Sequence, residues 1–194
     1  MKPALRAEAR CCAERGFSLI DVLLVIVLLG ILAVGVLHTA TRYSQQSAQA
    51  SKTRQMLAVA QALLNEVRAM PFTFCDAPLT APSSAACGAQ VDVMGPEAGE
   101  TRYNPANRFD GVSDYQGFAM PGPGCAGLCD VNGNVLNGVG SPLQGCTAGV
   151  TLTPQALGGI AALDASGRPQ VLRVRVLVSC APETIALDGI RVRH

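Results

Sequence analysis

The stretch that decides the fold is RGFSLIDVLLVIVLLGIL, residues 15–32. From Val22 to Leu37 no residue is charged or strongly polar, and Asp21 stands just before this run. As a helix, the 21 residues from Phe17 to Leu37 would be roughly 31 Å long. Because the hydrocarbon core of a bilayer is about 30 Å thick, the stretch predicts one membrane-spanning helix.

Asp21 is the residue in this segment that requires an explanation. A carboxylate costs roughly 2.5–3.5 kcal/mol near the centre of a membrane helix and less toward its ends. Such a residue is rare unless it has a partner, so an intramembrane charge indicates a functional site.

The charges around the apolar run predict its orientation. Before it, basic residues outnumber acidic ones, and the next basic residue after it is Arg42. The basic residues are Lys2, Arg6, Arg10 and Arg15, and the acidic ones are Glu8 and Glu14. The positive-inside rule therefore places residues 1–15 in the cytoplasm and the bulk of the chain on the far side of the membrane. A secretory signal peptide is less consistent with the pattern, because its apolar part is shorter and His38-Thr39-Ala40 is a poor cleavage site. A plain single-pass anchor would leave Asp21 without a role.

GFSLID, residues 16–21, resembles the cleavage and methylation motif of type IV prepilins and type II secretion pseudopilins. The resemblance implies that prepilin peptidase cuts after Gly16 and methylates the new N-terminus, Phe17. It implies a pilin-like fold and, as partners, other pilins or pseudopilins and an inner-membrane assembly platform. The family's usual carboxylate at the position of Asp21 is a glutamate, which is one methylene longer.

The resemblance gives Asp21 a partner. A buried carboxylate needs a positive charge nearby, and cleavage would create one in the amine of Phe17. In a stack of helices, we expect Asp21 of one subunit to meet the Phe17 amine of its neighbour.

The pattern after the apolar run predicts that the helix continues outside the membrane. Residues 17–40 form the transmembrane or filament-core half, and residues 41–70 form an amphipathic half that ends at Pro71. Apolar residues recur on one face of this second half at helical spacing. They are Met56, Ala60, Leu63, Val67 and Met70, with Leu57 and Leu64 widening the stripe.

Six of the eight cysteines follow the apolar run, in what would be an oxidising exterior. Most lie in residues 71–146, which are rich in Gly, Pro and Ser and predict an irregular, disulfide-rich region. Six cysteines can pair in several ways. The disulfides that we expect first are Cys75–Cys87, Cys125–Cys129 and Cys146–Cys180. A zinc half-site at Cys125 and Cys129 is disfavoured, because no second pair or nearby histidine accompanies it.

The last part, residues 147–194, predicts an antiparallel β-sheet. Leu172, Val174, Val176 and Val178 alternate with Arg173 and Arg175, which indicates one buried and one wet face. The turn is expected at residues 181–184. Together with the helix, this predicts an α+β fold in which a long N-terminal helix packs on a small C-terminal sheet.

The rest of the sequence disfavours several classes of function, namely metal binding, catalysis and nucleic-acid binding. Asp130, Asn132 and Asn134 half-resemble a calcium loop, although Asn132-Gly133 is more simply a turn. The two histidines, His38 and His194, are poorly placed for catalysis, so no enzyme, catalytic residue, metal site or cofactor is expected. A net charge of +1 and 4% aromatic residues disfavour nucleic-acid binding.

RFDGVSDYQGF (residues 108–118) and ALLNEVRAMPFTFCD (residues 62–76) suggest a narrower likeness. They resemble the D family of minor pilin-like biogenesis proteins of the mannose-sensitive haemagglutinin (MSHA) pilus, which favours a minor pilin at the cell surface. The alternatives are a type II secretion pseudopilin and a binding module or adhesin at a filament tip. A membrane-anchored enzyme is the remaining class.

Overall fold

The computed structural model describes residues 18–76, 79 and 81–193. The leader (residues 1–16), the expected cleavage site at Gly16 and Phe17, and His194 lie outside the described residues. The chain divides between Ser47 and Ala48 into two compact units. The elements are helix α1 (Leu19–Ala69), strands β1 (Ala119–Met120), β2 (Thr147–Pro154), β3 (Val171–Cys180) and β4 (Glu183–Val192), and 3₁₀ turns at Ser84–Ala86 and Ser113–Tyr115.

Helix α1 has 51 residues and agrees closely with the helix predicted for residues 17–70. By length and composition, its apolar N-terminal part is suited to cross a membrane. The helix ends at Ala69, and Met70 then precedes Pro71. A residue before proline is sterically driven out of the helical region, which explains the position of the end.

The predicted apolar stripe packs against the sheet. Met56, Ala60, Leu63 and Val67 are buried and join the core cluster with residues of β2 and β3. The stripe widens in one direction only, because Leu64 is also buried whereas Leu57 is 42% exposed.

A glycine in β4 makes room for the helix. A Cβ on Gly189 would lie 3.0 Å from Leu64 Cδ1 and 3.2 Å from Arg68 Cδ, which is closer than ordinary van der Waals contact. The absence of a side chain at Gly189 therefore allows α1 to approach the strand.

The sheet is antiparallel with strand order β1-β2-β3-β4. In β3 the predicted set Leu172, Val174, Val176 and Val178 is buried, while Arg175 is exposed. The alternation fails at Val171, which is also buried. At this end of the strand, Gln155 N donates a hydrogen bond of 3.0 Å to Val171 O, which extends the β2–β3 pairing by one residue beyond Pro154 and Leu172.

The structure confirms the α+β layout and the antiparallel pairing of the last two strands, and it changes two details. The β3–β4 turn comprises Ala181 and Pro182, because Cys180 already pairs with Glu183, whereas four residues were expected. The first strand, β1, comes from the region predicted to be irregular, where Phe118 O accepts a 2.8 Å hydrogen bond from Val150 N just before the strand.

Residues 108–118 form a loop that packs through its aromatic residues. Phe109 and Tyr115 are buried, and their ring centroids lie 5.0 Å apart in an edge-to-face arrangement. Phe118 lies 5.9 Å from both rings. This aromatic cluster belongs to the same apolar core as the stripe of α1 and the sheet, so it anchors the irregular region to the rest of the exterior domain.

Candidate functional site

Asp21 closes the N-terminus of helix α1. Its Oδ2 accepts a hydrogen bond of 3.2 Å from Ser18 N, and Ser18 Oγ accepts one of 3.4 Å from Ile20 N. A carboxylate in the first turn that reaches back to the residue before the helix is half of a capping box. The S-x-x-D spacing of Ser18 and Asp21 could have shown this role in the sequence.

The surface beyond Asp21 is apolar and uncovered. Every residue of α1 from Leu19 to Leu37 is exposed within its unit. The large apolar side chains on this segment include Leu19, Ile20, Val22, Leu23, Leu24, Val25, Ile26, Val27, Leu28 and Leu29. Soluble proteins rarely expose a contiguous apolar surface of this size, and such patches indicate contact with a membrane or with other chains.

All six cysteines after the helix are in disulfides, in the three pairs first expected. Cys75–Cys87 and Cys125–Cys129 close short loops, with sequence separations of 12 and 4. Cys146–Cys180 has a separation of 34 and connects the residue before β2 to the end of β3. The bonds thus restrain both the irregular region and the sheet.

A buried ion pair joins helix α1 to the irregular region. Glu66 accepts two hydrogen bonds of 2.6 Å from the Arg102 guanidinium and a third, of 2.7 Å, from the Tyr115 hydroxyl. Arg102 is 5% exposed and also donates to the carbonyls of Cys129 and Asp130, at 3.1 and 3.2 Å. Sequence reasoning missed this cluster, because Glu66 and Arg102 are 36 residues apart and belong to no local motif.

The pKa shifts of the cluster follow from this geometry. Burial alone would lower the pKa of Arg102, but the hydrogen bonds and charge of Glu66 outweigh it and raise the pKa above its usual value. Burial raises the pKa of Tyr115, and the Glu66 carboxylate raises it further. Arg102 therefore stays charged and Tyr115 stays neutral, so that both act as hydrogen-bond donors to Glu66.

The loop predicted as a weak calcium candidate is an Asx turn. Asp130 Oδ1 accepts from the backbone amides of Asn132 and Asn134, at 2.8 and 2.9 Å. Its Oδ2 accepts from the Asn134 side chain at 2.9 Å. These hydrogen bonds lower the pKa of Asp130 and engage both of its carboxylate oxygens within the turn.

Three other carboxyl groups lie close together at a place where the sequence predicted no site. Asp92, Glu97 and Asp114 each have a carboxylate oxygen within 4.8 Å of the others. Burial raises the pKa of all three, in the case of Asp114 to about 6. Two backbone amides, those of Asp110 and Gly111, donate to Asp114 Oδ2 at 2.9 and 2.7 Å and offset part of its shift. The group is an oxygen-rich site that could hold a hard cation.

The chain matches no protein-family model, no curated protein and no solved structure at a significant level. Function therefore has to be argued from the helix, the exterior domain and the motif at the start of α1.

Proposed function

We propose that the protein is a subunit of the type IV pilin and pseudopilin class, cleaved after Gly16 and N-methylated on Phe17. The observation that carries the proposal is the continuity of α1. One helix begins at Leu19, inside the GFSLID motif, has an exposed apolar span, and continues into a stripe that packs on a four-stranded sheet. A secreted domain has no need of such a helix.

The exposed apolar span of α1 suits the two environments that a pilin occupies in turn, the membrane and the filament. Before assembly, a segment as long as residues 19–37 is long enough to cross the hydrocarbon core of a bilayer. After extraction, the same apolar surface would be covered by the helices of other pilins or pseudopilins. The further partners are prepilin peptidase and an inner-membrane assembly platform, as the motif implies.

The position of Asp21 supports its role in assembly. Its carboxylate reaches toward the chain's N-terminal side, to the backbone amide of Ser18, which directly follows Phe17 in the sequence. The amine freed by cleavage would compete for this carboxylate, from the same chain or from a neighbour. In a filament core, a charged pair is far cheaper than an isolated carboxylate.

The disulfides support the proposed location. Such bonds persist in oxidising compartments and are rare in the cytosol, so three of them in residues 71–180 fit a periplasmic domain. We propose a single-pass inner-membrane protein with its C-terminal domain in the periplasm, which is later incorporated at the cell surface. No catalytic activity is proposed.

Between the two machines that share the motif, we propose an MSHA-like pilus rather than a type II secretion system. The likeness rests on residues 62–76 and 108–118, and these segments contact each other. Val112 N donates to Pro71 O at 2.9 Å, and Tyr115 donates to Glu66. The resemblance therefore covers one continuous part of the exterior domain.

Substituting Asp21 tests the assembly role. We expect the Asp21→Ala variant to be cleaved normally, whereas the fraction incorporated into filaments should fall by at least about tenfold. Truncating one partner of a buried charge pair costs about 2–5 kcal/mol, and about 1.4 kcal/mol corresponds to tenfold. Quantitative immunoblotting of sheared filaments against whole cells measures the incorporated fraction.

Two further variants separate charge pairing from helix capping. Asp21→Asn keeps an oxygen that can accept from Ser18 N but loses the charge, so it should fail as Asp21→Ala does. Asp21→Glu keeps the charge and should assemble like the wild type. If Asp21→Asn assembles normally while Asp21→Ala does not, Asp21 serves only as a helix cap and the pairing is refuted.

A further inference from the structure

The three carboxyl groups Asp92, Glu97 and Asp114 lie where two loops of the exterior domain meet. Gly95 N donates a 3.0 Å hydrogen bond to Ser113 O, which holds the loops together. Asp92 and Asp114 are buried, and Asp114 is only 1% exposed. Two buried acidic groups and the partly exposed Glu97 thus lie at short range in a part of the domain that has little regular structure.

The local charge is strongly negative. Neighbouring carboxylates act on this group, and arginines near Asp92 oppose them. The carboxylates are Asp76, Glu100 and Asp110, and the arginines are Arg168 and Arg193. Arg193 Nη1 lies 3.6 Å from Asp92 Oδ2, whereas the charges that act most strongly on Glu97 are the carboxylates of Asp114 and Asp76. Burial and the nearby acidic groups raise the pKa of Glu100 to about 7 and that of Asp110 to about 6, as expected where negative charge lacks compensation.

Ser113 gives an independent indication of a missing ligand. Its hydroxyl is 1% exposed, and among the described residues Ser113 Oγ has no hydrogen-bond partner. It faces the Asp92 carboxyl closely enough to lower the pKa of that group, although the geometry falls short of a hydrogen bond. Glu97 Oε2 is likewise buried without a donor in the described part of the chain, unless the neighbouring Glu100 carboxyl carries a proton. Unpaired buried polar atoms are costly and call for an explanation.

We propose that Asp92, Glu97, Asp114 and the Ser113 hydroxyl form a binding site for a divalent cation, with Ca²⁺ as the ion that it fits. Oxygens bound to one Ca²⁺ at about 2.3–2.6 Å lie at most about 5 Å apart, and the three carboxylates satisfy this limit. Ca²⁺ accepts irregular sets of carboxylate, other protein and water oxygens, whereas Mg²⁺ demands a near-ideal octahedron. The ion would neutralise the excess charge and use both unpaired oxygens.

The site involves the exterior domain only and does not depend on the assembly proposal. The bound ion would connect the loop of Asp92 and Glu97 to the loop of Asp114. It would therefore stabilise residues 92–114 in a compartment where Ca²⁺ is accessible.

Thermal unfolding of the full-length protein in detergent tests the proposal. After EGTA treatment, about 10 mM CaCl₂ should raise the Tm by roughly 3–10 °C, as expected for an exterior site with a Kd of about 10⁻⁴–10⁻³ M. The same concentration of MgCl₂ controls for ionic strength and should give a clearly smaller shift. Isothermal titration with CaCl₂ should show saturable binding to one site.

Variants locate the site. Glu97→Gln removes one ligand charge and should abolish the Ca²⁺-dependent Tm shift, while its Tm in EGTA equals or exceeds that of the wild type because repulsion is relieved. Asp130→Asn, in the other calcium-like loop, is the matched control and should keep the full shift. The absence of a shift in the wild type, or a shift that survives Glu97→Gln but is lost in Asp130→Asn, would overturn the proposal.

Discussion

Replacing Glu66 by alanine is expected to destabilise the exterior domain strongly. It leaves the Arg102 guanidinium buried without its counter-ion and removes the acceptor of the Tyr115 hydroxyl. Removing one partner of a buried salt bridge costs about 3–5 kcal/mol. For a chain of this size, that lowers the Tm by roughly 6–20 °C, which scanning calorimetry or circular dichroism measures.

Asp188, on the exposed face of the sheet, provides the control. It accepts hydrogen bonds from both Arg173 and Arg175, but the three side chains are 39–44% exposed, and exposed ion pairs contribute little to stability. Asp188→Ala should therefore leave the Tm almost unchanged. If Glu66→Ala shifts the Tm no more than Asp188→Ala does, the buried pair does not stabilise the domain as described.

The second large effect concerns the Cys146–Cys180 disulfide. In the chain-entropy account, closing a loop with a sequence separation of 34 contributes about 4 kcal/mol of stability. The double variant Cys146→Ala/Cys180→Ala should therefore lose roughly that amount. It should also unfold at a markedly lower denaturant concentration in an equilibrium urea titration.

Cys125→Ala/Cys129→Ala is the comparison, because it also removes a buried disulfide without leaving a free thiol. The sequence separation of Cys125 and Cys129 is 4, and for a loop of this length the same relation gives a stabilisation of about 2 kcal/mol. We expect the loss to be about half as large. Equal losses, or a larger loss from the short loop, would contradict the idea that this bond stabilises mainly by restricting the unfolded chain.

Repeating patterns made the regular elements predictable. The spacing of Met56, Ala60, Leu63 and Val67 predicted the buried face of α1, since 3.6 residues per turn leave no other face for them. The alternation in β3 likewise predicted its buried side. The sequence did not predict strand β1, because a strand of two residues is too short to show alternation.

Contacts between charged residues that are distant in the sequence could not be predicted. Nothing near Arg102 in the sequence indicates that it would be buried against Glu66, and the same holds for Asp92, Glu97 and Asp114. Charged residues are usually exposed, so burial depends on partners that only the tertiary structure brings close. The capping role of Asp21 differs, since Ser18 lies three residues before it and the pairing is local.

The most direct test of the central claim is the mass of the N-terminal peptide of the protein isolated from its native membrane or filaments. Our account predicts a mature chain that begins at Phe17 and carries one methyl group on its amine. A chain that retains Met1, or one that begins near Thr41 as an ordinary secreted protein would, contradicts the account.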